Sequence, residues 1–333
     1  MKTSRNIGAL CLAMFVLILD SKTAIAGASE GITLCIQVVI PSVFPFLVIS
    51  ICLNSALSGR QIPILSPIGS LLRIPTGTEG ILLTGLLGGY PVGAQCVTQA
   101  YRNGTIRKTD AERMLAFCSN AGPAFLFGIG SRLFSNVGIC FGLWLIHILS
   151  AWIVGILTPG KQHSSAHTMT SVSISLPQAI KTALATMACI CGWVVIFRVI
   201  LNFLDLWFLW ALPLEIQCLI KGILELSNGC CSLLDVTDPA TRIVLFSVIL
   251  SFGGICVTMQ TYSVCSGLNC HNYLPGKIAQ AAISMLLCMG FLFLLGLSTN
   301  GVVLLVISVV SIAICVCYRF RSRKQQKEVA FSG

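Results

Sequence analysis

Glu225 is the residue in this chain best placed to do chemistry inside a membrane. It lies in Gly222-Ile-Leu-Glu-Leu-Ser-Asn-Gly, an apolar stretch opened by Ser227, Asn228 and Gly229. An ionisable group at membrane depth is costly and by default marks an ion or substrate path. Such a carboxylate would carry a coupling proton or help bind Na+; at the outer interface it would simply reach water. Three other stretches combine polar side chains with helix breakers. They are Gly88-Gly89-Tyr90-Pro91-Val92-Gly93 with Gln95 behind it, Ser119-Asn120-Ala121-Gly122-Pro123, and Gly253-Gly254 with Gln260 behind it. Tyr90 is suited to stacking on a base or sugar ring, or equally to anchoring at the interface. The amides and hydroxyls of Gln95, Ser119, Asn120, Ser227, Asn228 and Gln260 suit a small polar solute.

These residues matter because of what holds them. A helix that spans a membrane satisfies its own backbone, whereas a broken one leaves N–H and C=O groups bare. Breaks are tolerated only where they are buried in protein or line a wet cavity. Half-helix N-termini then face anionic or hydroxyl groups, and half-helix C-termini and unwound carbonyls face cations. Paired broken segments are therefore pointers to a transporter's binding site.

The composition sets the class. Of 333 residues, 56% are hydrophobic and only 10% charged, and the mean hydropathy is +0.91, against roughly 25% charged in soluble domains. The expected fold is an all-α integral membrane protein, with about eight transmembrane helices and two re-entrant hairpins in an inverted repeat. The net charge of +10 is no nucleic-acid signal, because Arg319, Arg321, Arg323, Lys324 and Lys327 follow an apolar run and read as a cytoplasmic stop signal or a lipid-headgroup contact. The 17 cysteines are scattered along apolar runs at no zinc-ligand spacing and read as small buried hydrophobes. Cys118 and Cys230-Cys231 stand apart, because they sit at breaks. No metal site is expected.

The positive-inside rule organises the chain. A first span at about 7–26 also resembles a signal segment, and it is read as an uncleaved anchor over 1–26. A first membrane repeat occupies 27–160, with a span at 31–57, a broken hairpin at 79–100, a broken span at 114–131 and an intact span at 137–158. A polar linker, 161–177, leads to a second repeat, 178–298, with a hairpin at 214–233 and a broken span at 241–263. A last helix, 299–318, and a basic tail, 319–333, follow. Both termini fall in the cytoplasm, and Asp205, Asp235 and Asp238 fall outside. The halves share one order of elements in opposite orientations. Gly85–Gly93 matches Gly222–Gly229, and 116–122 matches 251–257, at a nearly constant offset. Arg198 and Lys221 are expected to pair with Glu215 or Glu225, or to snorkel. His147 reads as core packing, and Thr109 with Glu112 as a capping box.

Five motifs in order carry a family resemblance. Pro41-Ser-Val-Phe-Pro-Phe resembles V-x-P-S-L-x-P-F, and Gly88-Gly-Tyr-Pro-Val-Gly-Ala resembles (S/G)-G-Y-P-x-G-A. Asp110-Ala-Glu-Arg-Met-Leu-Ala-Phe-Cys-Ser-Asn-Ala-Gly-Pro, Gly222-Ile-Leu-Glu-Leu-Ser-Asn-Gly and Phe252-Gly-Gly-Ile-Cys-Val-Thr-Met-Gln complete the set. The motifs are similar to those of the YlbJ-type sporulation integral membrane proteins, over about residues 28–300. That family resembles the nucleoside-recognition or Gate domains, which also occur in concentrative nucleoside transporters and bacterial ferrous-iron permeases. The resemblance implies the cell membrane of a spore-forming Firmicute. It assigns no activity.

The leading expectation is a transporter or permease of a small polar solute, nucleoside-like by analogy only. It would use no cofactor beyond coupling H+ or Na+, with membrane lipid and an unidentified solute as partners. A homo-oligomer is compatible with the sequence. Two alternatives stand beside it: a metal-ion permease, which would draw on Cys118, and a non-transporting sporulation scaffold. An enzyme is not expected, because no His-Glu-x-x-His, Ser/His or paired-Asp arrangement occurs at membrane depth.

Overall fold

The computed structural model describes residues 2–160, 174–297, 314 and 316–319, and every regular element among them is helical. The chain enters through α1 (Lys2–Leu19) and turns at Asp20, whose carboxylate accepts the Thr23 N–H at 3.1 Å and starts α2 (Ser21–Leu34). The expected boundary near residue 26 is therefore a continuous helix. A π-helical turn, Cys35–Val39, runs straight into α3 (Ile40–Leu57), with the Ile40 N–H donating to the Cys35 carbonyl. Pro41 lacks the N–H that an α-turn would use, and a π-turn absorbs that mismatch. The Ser42 hydroxyl then donates to the Val38 carbonyl at 2.6 Å.

After α4 (Ser66–Leu71) the first half continues as short helices: α5 (Glu79–Leu87), α6 (Val92–Arg102), α7 (Lys108–Met114) and α8 (Pro123–Leu133). The full-length α9 (Val137–Leu157) closes it. The second half begins with α10 (Leu176–Trp207) and repeats the order. Its short helices are α11 (Leu214–Leu224), α12 (Leu226–Ser232), α13 (Pro239–Phe252) and α14 (Gly254–Val264), and its long one is α15 (Tyr273–Leu294). Short 3-10 turns follow α10 and α12.

Among the described residues five helical stretches have the length and apolarity to cross a membrane: 21–57, 137–157, 176–207, 239–264 and 273–294. Large apolar side chains such as Leu10, Ile18, Ile49, Phe141, Leu184 and Ile196 face outward, which in a chain this apolar marks a lipid-facing surface. The protein is a multi-pass membrane protein. Residues 79–102 and 214–232 each form a pair of short helices. Residues 161–173 of the linker, most of the run 299–318 and the tail beyond 319 lie outside the described residues, as does Lys161.

Two contacts fix the frame. α2 packs on α10 through Gly27 and Gly31, where an added Cβ would sit 2.8 Å from the Val199 Cα and 2.9 Å from the Val195 Cα. Small residues four apart let membrane helices approach backbone to backbone. On the other side α15 packs on both α9 and α13.

The expected capping box does not form. The helix starts at Lys108 with Arg107 as its cap, and the Glu112 carboxylate accepts the Asn269 N–H at 2.9 Å instead.

Candidate functional site

Each half contains a hairpin of two short helices that cross at a glycine pair. In the first, α5 and α6 cross where a Cβ on Gly85 would meet the Gly93 Cα at 3.3 Å, and one on Gly93 would lie 2.8 Å from the Ser119 Cα. In the second, α11 and α12 cross at Gly222 and Gly229, again backbone against backbone. The hairpin tips are Gly88–Pro91 and Glu225. The first holds Gly89 at φ +80 and a cis Tyr90–Pro91 bond.

The first tip presses on both breaks, and the second tip on the second. A Cβ on Gly122 would stand 3.1 Å from the Gly89 Cα, so the first tip sits on the first break. The Tyr90 hydroxyl donates to the Leu250 carbonyl at 3.3 Å, and its ring packs on Gly253, so the same tip also reaches the second break. Gly253 and Gly254 turn the chain there at φ +81 and +89, a left-handed conformation that favours glycine. Gly254 lies against the Gly222 carbonyl and the Leu226 N–H, under the second tip. Between the tips is a cavity of about 40 Å³ faced by Tyr90, Gly122, Phe125, Glu225, Ser227 and Gln260. It has room for roughly three water-sized groups, too little for a nucleoside-sized solute.

On one side of the cavity Glu225 is 1% exposed and caps α12. Its two oxygens accept the Ser227 N–H at 3.0 Å and the Asn228 N–H at 2.7 Å, and the second also accepts the Asn228 amide at 2.7 Å. A carboxylate at a helix N-terminus meets bare N–H donors and the positive end of the dipole. The Asn228 Oδ1 in turn accepts from Arg198 at 2.8 Å, and Arg198 is paired with Glu30. The partners expected from the sequence, Glu215 or Glu225, are thus replaced: Arg198 meets Glu30, and Lys221 meets Asp205 at 2.9 Å.

On the other side the first break is tied down by residues outside the motifs. His147 accepts the Ala121 N–H on Nε2 at 3.0 Å, leaving Nδ1 to face the Ser251 hydroxyl at 3.1 Å. Far from being inert packing, it joins the two breaks. Asn120 donates to the Phe117 carbonyl at 2.8 Å and accepts from the Gln280 amide at 3.0 Å. Lys277, fully buried, places its ammonium against the Ser119 carbonyl, the Asn120 Oδ1 and the Gln280 Oε1. The signal for Lys277 was there: a cation with a glutamine three residues on, inside an apolar run. The hydropathy pattern starts the helix at 277; it starts at Tyr273, which puts Lys277 a full turn inside.

Of the residues expected from the sequence, Gly88, Gly89, Tyr90, Gly122, Glu225, Ser227 and Gln260 face the cavity. Ser119, Asn120 and Asn228 stand one layer behind it, Gly93 lies in the crossing, and Gly253 and Gly254 shape the second break. Pro91 and Pro123 open α6 and α8. Gln95 falls elsewhere, beside Gln99, Arg102 and Gln178 in a separate cleft.

The chain is similar to the "Sporulation integral membrane protein YlbJ" of Bacillus subtilis (strain 168), with 22% identity over 316 residues, 78% of this chain and 76% of that protein. No family model and no solved structure matches it. The five ordered motifs, together with this similarity along most of both chains, support membership of the YlbJ-type sporulation integral membrane proteins.

Proposed function

We propose that the protein is a transporter or permease of a small polar solute, nucleoside-like by analogy only, in a membrane of a sporulating bacterium. The observation that supports this best is the meeting of two hairpin tips and two helix breaks around one cavity between Tyr90 and Glu225. A scaffold has little need for unwound backbone at membrane depth. In this reading the hairpins are re-entrant, the halves form an inverted repeat, and the described shape is an occluded state that must open to admit a solute. Glu225 faces the cavity as the residue through which H+ or Na+ would be coupled. No catalytic step is involved.

The orientation in this reading is supported by which loops meet. Ile174 bonds Ser55, Arg102 bonds Ser266, Asn269 bonds Glu112, and Thr158 bonds Tyr318. These loops share one face, which carries Arg60, Arg73, Arg107 and Lys108 and is read as cytoplasmic.

The test is solute binding, then uptake. The purified protein is screened by thermal shift against nucleosides, nucleotides, amino acids, dipicolinate and divalent metals, since a native-state ligand raises the midpoint by mass action. A hit is then measured for uptake into proteoliposomes. Glu225→Gln and Asn120→Ala are expected to abolish uptake while leaving insertion intact. Full tolerance of both by the sporulating cell would favour the scaffold.

A further inference from the structure

We propose that the first break builds a monovalent-cation site and that Lys277 is its tethered occupant. The ammonium is held by four oxygens from three separate parts of the fold. They are the Ser119 carbonyl and the Asn120 Oδ1 at 3.3 Å from the break, the Tyr90 hydroxyl at 3.4 Å from the first tip, and the Gln280 Oε1 at 2.7 Å from α15 itself. The faces of Tyr90 and Tyr273 lie 5.0 and 5.9 Å away, with their negative quadrupoles toward the charge.

An all-oxygen shell of carbonyl, amide and hydroxyl groups is what hard cations select. No carboxylate lies among the described partners of Lys277. A buried divalent ion without charge compensation would be strongly penalised by desolvation, so the site suits a single positive charge. The backbone contributes through position as well. The Ser119 carbonyl lies just past the turn that ends α7, at the negative pole of that segment. Gly276 lets α15 approach closely enough to deliver the lysine, since a Cβ there would meet the Ala116 carbonyl at 2.6 Å. The other titratable groups near the ammonium are Tyr90, Tyr273, Cys118 and His147. The site is distinct from the Glu225 side of the cavity and stands whether or not the chain moves a solute.

If Lys277 fills a cation site, removing its side chain should let a free cation in. Lys277→Ala, purified in detergent, is compared with wild type in choline, lithium, sodium and potassium chloride at one ionic strength. Wild type should melt at the same temperature in all four. Lys277→Ala should melt lower in choline and be restored saturably by at least one alkali cation. The midpoint should rise by roughly 3 °C per tenfold increase in cation once binding is established. Lys277→Gln, whose amide fills the cage with donors, should be blind to the cation. Should Lys277→Ala not fold, Lys277→Ser takes its place with the same expectation. Equal midpoints in all four salts, an equal cation response in Lys277→Gln, or failure of both small variants to fold in every salt overturns the proposal.

Discussion

The imidazole of His147 stands 3.1 Å from the hydroxyl of Ser251 while its other nitrogen takes the Ala121 N–H. One side chain thus holds both broken segments, and the hydrogen bond from Ala121 fixes its proton on Nδ1. His147→Leu keeps the volume but leaves a buried N–H and a buried hydroxyl without partners, at about 1–3 kcal/mol each. The expected result is a destabilised but folded protein. His147→Asn should do no better, because its shorter side chain cannot reach both groups. Urea or thermal unfolding in detergent checks both. A Leu variant as stable as wild type would show that the two bonds contribute nothing.

The breaks were legible because Gly, Pro, Ser and Asn have no other reason to cluster in an apolar run. The Gly85/Gly93 and Gly222/Gly229 pairs stand at matched positions in the sequence. Their use as helix crossings was not legible, because a glycine's close neighbour is a tertiary fact. Lys277 was hidden by an error of one helical turn at the start of α15, and His147 by the absence of a carboxylate near it in sequence. Its partners are a backbone N–H and a hydroxyl, which no side-chain motif announces. Gly27 and Gly31 spell a small-residue pair that the sequence displays openly; a span boundary drawn at residue 26 instead of Asp20 obscured it.

Glu225 gives a prediction that separates capping from coupling. Its two oxygens serve three donors around the start of α12. Glu225→Ala removes all of them and should cost roughly 1–3 kcal/mol or more in stability. Glu225→Gln keeps one carbonyl oxygen for the helix start, so it should express and fold close to wild type. If the carboxylate also carries an ion, solute binding should survive in Glu225→Gln while its dependence on pH or Na+ disappears. Isothermal titration of the identified solute at several pH values and Na+ concentrations reads this directly.

Asp238 caps α13, the helix that leads to the second break. Its carboxylate accepts the Thr241 N–H at 2.8 Å, and bonding to Thr241, side chain first and then backbone, holds its pKa below the ordinary 3.8. A lowered folded pKa means stability that is complete above the unfolded value and is lost as pH falls through the folded one. Any contribution from this group should therefore be flat from about pH 5 upward and fade below about pH 4. Because the group is largely exposed, the effect should be small. The midpoints of wild type and Asp238→Ala should converge as the pH is lowered; a constant difference down to about pH 3 would assign the loss to something other than the charged cap.

The glycine crossings make the sharpest structural prediction. In the second hairpin the two helices touch directly at Gly222 and Gly229, whereas in the first Gly85 and Gly93 both lie against the Cys118 carbonyl, and neither arrangement leaves room for a Cβ. An alanine at Gly85 or Gly229 would drive its methyl into backbone, the Cys118 carbonyl in one case and Gly222 in the other. Backbone cannot yield as a flexible side chain can, so Gly85→Ala would push the first hairpin off the segment at Cys118, and Gly229→Ala would force the second hairpin open. Gly192, inside α10 with nothing within 4 Å of a Cβ, is the control. There alanine should be neutral or stabilising by about 0.5–1 kcal/mol, because glycine has more freedom to lose on folding. Size-exclusion profiles and melting midpoints of the three variants should separate cleanly, with Gly85→Ala and Gly229→Ala aggregated or strongly destabilised and Gly192→Ala at or above wild type. A well-folded Gly85→Ala protein would mean that the first hairpin does not lie against the Cys118 backbone as described.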